Sequence, residues 1–112
     1  MKIAVSSTGK NLSSQVDEIF GRCPYFLIVE IDDKKVKGFE AIENKNVNQM
    51  DGAGIATAQM VAEKNVSAVI AGSVGPRALD VLKQFDIQVY SGTGLAKEVT
   101  QKFIEGKLEK IQ

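Results

Sequence analysis

Short apolar runs, separated by glycine-bearing turns and polar stretches, set the rhythm of this chain. Residues 3–5, Ile-Ala-Val, are apolar and largely β-branched and stop at Ser6-Ser7-Thr8-Gly9-Lys10, a cluster of turn formers. They predict a strand followed by a loop. Residues 25–31 are a nearly continuous aromatic and β-branched run, and Asp32-Asp33-Lys34-Lys35 then turns the chain into a second run at 36–42. That pair predicts a hairpin. In its second strand Val36, Gly38, Glu40 and Ile42 alternate with Lys37, Phe39, Ala41 and Glu43, the mixed pattern of a strand with one wet face at a sheet edge. Residues 43–51 are polar and rich in asparagine, with little to bury, and predict a mobile loop.

Helical spacing takes over in the second half. Ile55, Ala58, Val61 and Ala62 recur at helical intervals between Gly52 and Lys64, with Asn65 as the stop. A strand at 67–71 leads through Gly72-Ser73-Val74-Gly75-Pro76 into a second helix, where Pro76 suits the first turn and Ala78, Leu79, Val81, Leu82 and Phe85 form the buried face. A strand at 87–90, the turn Ser91-Gly92-Thr93-Gly94, and a helix with the inner stripe Leu95, Ala96, Val99 and Phe103 complete the order βββαβαβα. The two strand, turn, helix units imply right-handed crossovers in a parallel sheet. With the hairpin beside the first strand, they give a five-stranded mixed sheet of order 3-2-1-4-5 with helices on both faces, a ribonuclease H-like α/β fold.

Composition narrows the function. A chain of 112 residues fits one domain, 1–112, and its 44% hydrophobic and 25% charged residues suit a packed protein rather than a disordered one. Fourteen Lys and Arg balance fourteen Asp and Glu, so no net field draws it to nucleic acid or an anionic membrane. No segment approaches the ~20 apolar residues of a membrane span, and the N-terminal run is too short for a signal peptide. A soluble cytoplasmic protein is expected, as a monomer or weak homodimer. The only cysteine, Cys23, cannot form an internal disulfide, and the chain has no histidine. A Cys/His zinc site is therefore excluded, proton-transfer chemistry loses its usual side chain, and no base stands beside Cys23 or a serine in sequence. A non-enzyme is expected.

The turns carry the candidate chemistry. If the predicted topology holds, most of them gather at the carboxyl edge of the parallel strands, where open α/β sheets bind ligands. Helix starts there expose unpaired N–H groups with a partial positive charge, and glycine allows close approach, so an anionic guest is expected. Each glycine alone could serve only a tight turn. Read together, Ser7, Gly9, Gly52, Gly54, Gly75 and Gly94 are candidate backbone donors. Arg22 and Arg77 are either solvated surface charges or the planar forks that pair the anion's oxygens. Cys23 is either a small buried hydrophobe or, with its thiolate favoured by a nearby cation, a soft-metal ligand. Two-metal nuclease chemistry needs carboxylates on the central strands, and residues 2–6 and 67–71 contain none. No GxxxxGK[ST] loop occurs, and Thr57 holds the place of the third glycine in a GxGxxG word beginning at Gly52.

Three words stand in order along the chain: Phe20-Gly21-Arg22-Cys23-Pro24-Tyr25-Phe26, Gly52-Ala53-Gly54, and Ile70-Ala71-Gly72-Ser73-Val74-Gly75-Pro76-Arg77-Ala78. Together they resemble the dinitrogenase iron-molybdenum cofactor biosynthesis family, with its NifX-like and NifB C-terminal-like domains. The resemblance runs from Met1 to about Leu108. It implies a ribonuclease H-like fold without nuclease activity, binding or carriage of an iron-sulfur or iron-molybdenum cofactor or its precursor, and cofactor-assembly proteins as partners. Family members often place a histidine just before the Phe-Gly-Arg word and another just before Gly-Ala-Gly, where this chain has Ile19 and Asp51. Asp51 is expected to cap the first helix, or to offer oxygen to a hard cation. The alternative function is an interaction module that recognises a protein partner through its sheet edge or loop, without a small-molecule ligand.

Overall fold

The apolar runs become the middle of a sheet because they are covered on both faces. In the computed structural model, which describes residues 1–112, the strands are β1 (Lys2–Ser7), β2 (Tyr25–Asp32), β3 (Lys35–Glu43), β4 (Ala68–Ala71), β5 (Gln88–Ser91) and β6 (Glu109–Lys110). The helices are α1 (Ala53–Ala62), α2 (Pro76–Gln84) and α3 (Ala96–Ile104). One sheet of order β3-β2-β1-β4-β5-β6 contains all six strands. β1, β4 and β5 run parallel, while β2 and β3 form the antiparallel hairpin beside β1.

Period-two alternation sorts the side chains. Ala4, Phe26, Ile28, Val69 and Val89 face α1 and α2, burying Ala58, Val61, Ala78 and Leu82 against them. Ile3, Val5, Leu27, Val29 and Ile70 face the other way, over Ala96 and Val99 of α3. Asn65 adopts φ 59 and lets the chain leave α1, as its sequence position suggests.

The sheet departs from the sequence reading in one strand. β6 pairs antiparallel to β5 through Tyr90 with Lys110 and Ser91 with Glu109, so there are six strands rather than five. Its two exposed polar residues offer no apolar alternation, and pairing arises because Gly106, at φ 72, turns the chain back after α3. β3 is an edge strand, exposed along its length except at half-buried Ile42. Phe85, expected on the buried face of α2, is 56% exposed because the helix ends at Gln84 and Asp86 turns with φ 58. The segment after β3 does bury something: Asn44 is 1% exposed. Its Nδ2 donates to the Cys23 carbonyl at 2.8 Å, and its Oδ1 accepts from the Asn46 N–H at 3.0 Å. No helix is long and apolar enough to cross a membrane.

The carboxyl rim of β1 and β4 is closed by the chain itself. The Ser6 hydroxyl and the Gly72 N–H both donate to the Asp17 carbonyl, Ser73 N–H donates to Glu18 O at 2.6 Å, and Phe20 N–H donates to Ser73 O at 3.1 Å. Residues 17–20 thus lie beside Gly72-Ser73 like a short parallel strand. A Cβ on Gly72 would stand 2.7 Å from both Cα and O of Glu18, so only glycine permits the approach. Gly72→Ala should lower stability by ~1–3 kcal/mol through overpacking. Urea unfolding should show a reduced midpoint, and an unchanged midpoint would contradict this packing.

Candidate functional site

Two helices start at one place. Gly52 holds φ +72 as the residue before α1, a left-handed conformation suited to glycine, and neither Gly52 nor Gly75 caps its helix with a side chain. The first bond of α1 runs from Ala56 N–H to Gly52 O, and that of α2 from Leu79 N–H to Gly75 O. The N–H groups of Ala53, Gly54, Ile55, Arg77 and Ala78 consequently have no protein acceptor, while Pro76 has no N–H to satisfy. These donors border a cavity of about 410 Å³ between the two helix starts.

The third wall is the word around Phe20. Phe20 is buried edge-on against Phe26, with ring centroids 5.2 Å apart, and anchors a single 3-10 turn at Phe20–Arg22. That turn lies directly on α1, since a Cβ on Gly21 would be 3.0 Å from the Gly54 Cα. Arg22 and Arg77 bring two guanidinium groups to the cavity, none of its lining residues is acidic, and Ile19, Ile55 and Pro76 supply apolar surface. Helix-start dipoles and guanidinium charge therefore act in the same direction. The arrangement suits an anion with some apolar or soft surface.

Of the nine residues singled out from sequence, the cavity gathers Arg22, Gly52, Gly54, Gly75 and Arg77. Ser7, Gly9, Cys23 and Gly94 stand elsewhere. Ser7 is buried, and its hydroxyl donates to Gly9 O at 2.7 Å, making the turn after β1; a Cβ on Gly9 would collide with the Ser14 hydroxyl. Gly94 precedes α3, on the opposite face of the sheet from α1 and α2. There the donors are already used: Ala96 N–H bonds Ser14 O at 2.8 Å, Lys97 N–H bonds Leu12 O at 2.9 Å, and Leu95 N–H bonds Glu98 Oε1 at 3.0 Å. Sequence reasoning missed Ile19, Gly21, Ala53, Ile55, Pro76 and Ala78 as lining residues; the signal that could have found them was the three words, which contain Gly21, Ala53, Pro76 and Ala78 and directly adjoin Ile19 and Ile55.

The family model of the dinitrogenase iron-molybdenum cofactor family matches residues 1–106. The chain belongs to this family. An uncharacterized protein of Methanocaldococcus jannaschii is 42% identical over 113 residues, covering 100% of this chain and 92% of that relative. Among solved structures, the apo form of the orange protein from Desulfovibrio gigas superposes with a TM-score of 0.90 at 30% identity, covering 97% of this chain and 91% of that one. A Thermotoga protein of the DUF35 family superposes with a TM-score of 0.84 at 33% identity, covering 98% of this chain and 92% of that one.

The family name directs attention to metal ligands, and the residues present do not fit coordination of a cluster. No three His, Cys, Asp or Glu side chains stand close enough to hold a metal ion. Ile19 lines the cavity, half exposed, and has no donor atom. Asp51 does not cap α1, because Gly52 occupies the capping position; its carbonyl instead accepts from Gln49 Nε2 at 2.7 Å. Cys23 is wholly buried in the core under α1 and α2, its thiol donating to Phe20 O at 3.3 Å. Burial first, and then the Asp17 carboxylate, push that thiol from its ordinary 9.0 up to about 12. A protonated, inaccessible sulfur is a poor ligand.

At pH 8 Cys23 should react with a thiol reagent far more slowly in the native protein than in urea. Below pH 9 the thiol is protonated folded or unfolded and has no effect; above it only the unfolded chain releases the proton. Native stability should therefore fall by about 1 kcal/mol per pH unit from there toward pH 12, relative to Cys23→Ala. Parallel pH profiles for the two proteins would contradict the burial.

Proposed function

We propose that this protein is a non-catalytic carrier that holds an anionic ligand at the junction of α1 and α2, on what we read as a ribonuclease H-like scaffold. The observation that carries this reading is the set of five unpaired helix-start N–H groups beside Arg22 and Arg77 around one cavity. Family membership makes an iron-molybdenum cofactor, or an iron-sulfur precursor of it, the cargo of choice. Such clusters are anionic and have sulfur faces that accept N–H bonds, which matches a cavity with donors on one side and Ile19, Ile55 and Pro76 on the other. The cargo would be held by hydrogen bonds and charge rather than by coordination, within the cytoplasm, and received from and passed to cofactor-assembly proteins. No acid/base pair or activated nucleophile lines the cavity, which supports binding over turnover.

A second reading has one observation in its favour. β3 is a nine-residue edge strand with Val36 and Phe39 40% and 43% exposed, a surface on which a protein partner could add a strand. A partner retained equally by wild type and by an Arg22→Ala, Arg77→Ala double variant would favour it.

Titration with sulfate and with molybdate, followed by amide NMR, tests the carrier. The N–H signals of Ala53, Gly54, Ile55, Arg77 and Ala78 should move together, and Arg77→Gln should weaken binding about tenfold, roughly 1.4 kcal/mol. Amides that stay still with both anions would remove the site.

A further inference from the structure

The segment between β3 and α1 is fastened at both ends to the Arg22-Cys23 dipeptide. At its start, buried Asn44 donates Nδ2 to the Cys23 carbonyl, and its own N–H donates to the Pro24 carbonyl at 2.9 Å. At its far end the Arg22 guanidinium donates through Nη1 to the carbonyls of Val47 at 3.0 Å and Gln49 at 2.6 Å. Gln49 passes the connection on, because its Nε2 bonds the Asp51 carbonyl one residue before Gly52 at the cavity.

The two fastenings differ in solvent access. Asn44 is buried, so water cannot replace its bonds; Arg22 and Gln49 are exposed, so water can. The Arg22 end is the one that opens. Both Nη1 hydrogens are committed to the segment, whereas Nη2 and Nε have no protein acceptor, and Arg22 lines the cavity. An anion bonding that remaining edge favours the same guanidinium position that holds the segment closed. Binding and closure then support each other, and the support must be reciprocal. The Arg77 side chain makes no hydrogen bond or ion pair with the protein and is left to meet the ligand alone.

We infer that Arg22 is a positioning residue that couples occupation of the cavity to the order of residues 47–51, which close more tightly when an anion is held. The inference rests on the carrier reading and adds its regulation: a loaded protein presents a different surface around Met50, 91% exposed, than an empty one.

The test uses sulfate as the probe on the full chain, comparing wild type, Arg22→Gln and Arg77→Gln. Amide order parameters of Val47 to Met50 and the rate of tryptic cleavage after Lys45 report the segment; the Arg77 and Ala78 amides report occupation. In wild type, saturating sulfate should raise the order parameters and slow cleavage about fivefold. Arg22→Gln should speed cleavage of the empty protein about fivefold and abolish the protection by sulfate even when the Arg77 and Ala78 signals show a filled cavity. Arg77→Gln should weaken sulfate binding yet leave the empty segment as in wild type. Sulfate that fills the cavity without protecting the segment, or that protects it equally in Arg22→Gln, overturns the coupling alone. No shift at Arg77 and Ala78 in wild type overturns the carrier reading and the coupling with it.

Discussion

Every helix begins with N–H groups that its own turns cannot satisfy, and the way this fold disposes of them decides where it can bind. Three helix starts lie along the carboxyl rim of the sheet. At α3 the chain supplies its own acceptors, the carbonyls of Leu12 and Ser14 and the carboxylate of Glu98. At α1 and α2 it supplies none, because glycine stands at each capping position and brings no side-chain oxygen. A chain with balanced charge therefore still gathers open N–H donors and two arginines, with no acidic residue, around one cavity. The attraction is local, and it is made largely of backbone.

Bringing those two starts together is a packing problem solved in the core. Leu82 and Val61, both fully buried, fix α2 and α1 on the sheet, and removing side chains of this size from water contributes roughly 1.5–3 kcal/mol each. Phe20 then pins the 3-10 turn, and Gly21 lets that turn rest on Gly54 without an intervening methyl. On the other side Gly72 lets residues 17–20 fill the rim that β1 and β4 would leave open. The cavity is what remains between two close backbone approaches. Its shape is thus set by one contact, at Gly72, with no room for a methyl and another, at Gly21, with little.

The strands, the helices and the placement of β3 at an edge were legible because they rest on periodicity, which survives in one dimension. β6 was not, since two polar residues pair only because the chain returns there after Gly106. The nine candidate site residues are five turn glycines, a turn serine, two cations and a thiol, a chemical criterion blind to which face of the sheet a turn occupies. Gly94 and Gly52 look alike in sequence, yet they precede helices on opposite faces, one start filled and the other open. Cys23 and Arg22 are neighbours in sequence with opposite fates, because the extended backbone after the 3-10 turn sends one side chain into the core and the other to the surface. The second role of Arg22, bonding Val47 and Gln49 across 25 and 27 residues, had no local signal at all.

The absence of imidazole and thiolate from the cavity bears on the carrier role proposed above. A cluster fixed by coordinate bonds leaves only when another ligand displaces them, so affinity and release are set by the same strong contacts. Hydrogen bonds from backbone N–H groups and arginine are individually modest and exchange readily with water, and their sum can still be selective when the donors are preorganised. Here the preorganisation comes from two helices locked to a sheet. A cargo with several accepting faces could satisfy the five open donors and the two guanidinium groups together. A cavity of about 410 Å³ is far larger than a single oxyanion requires. The volume and the number of open donors therefore suit an extended anion, and a cargo held in this way could leave without breaking a coordinate bond.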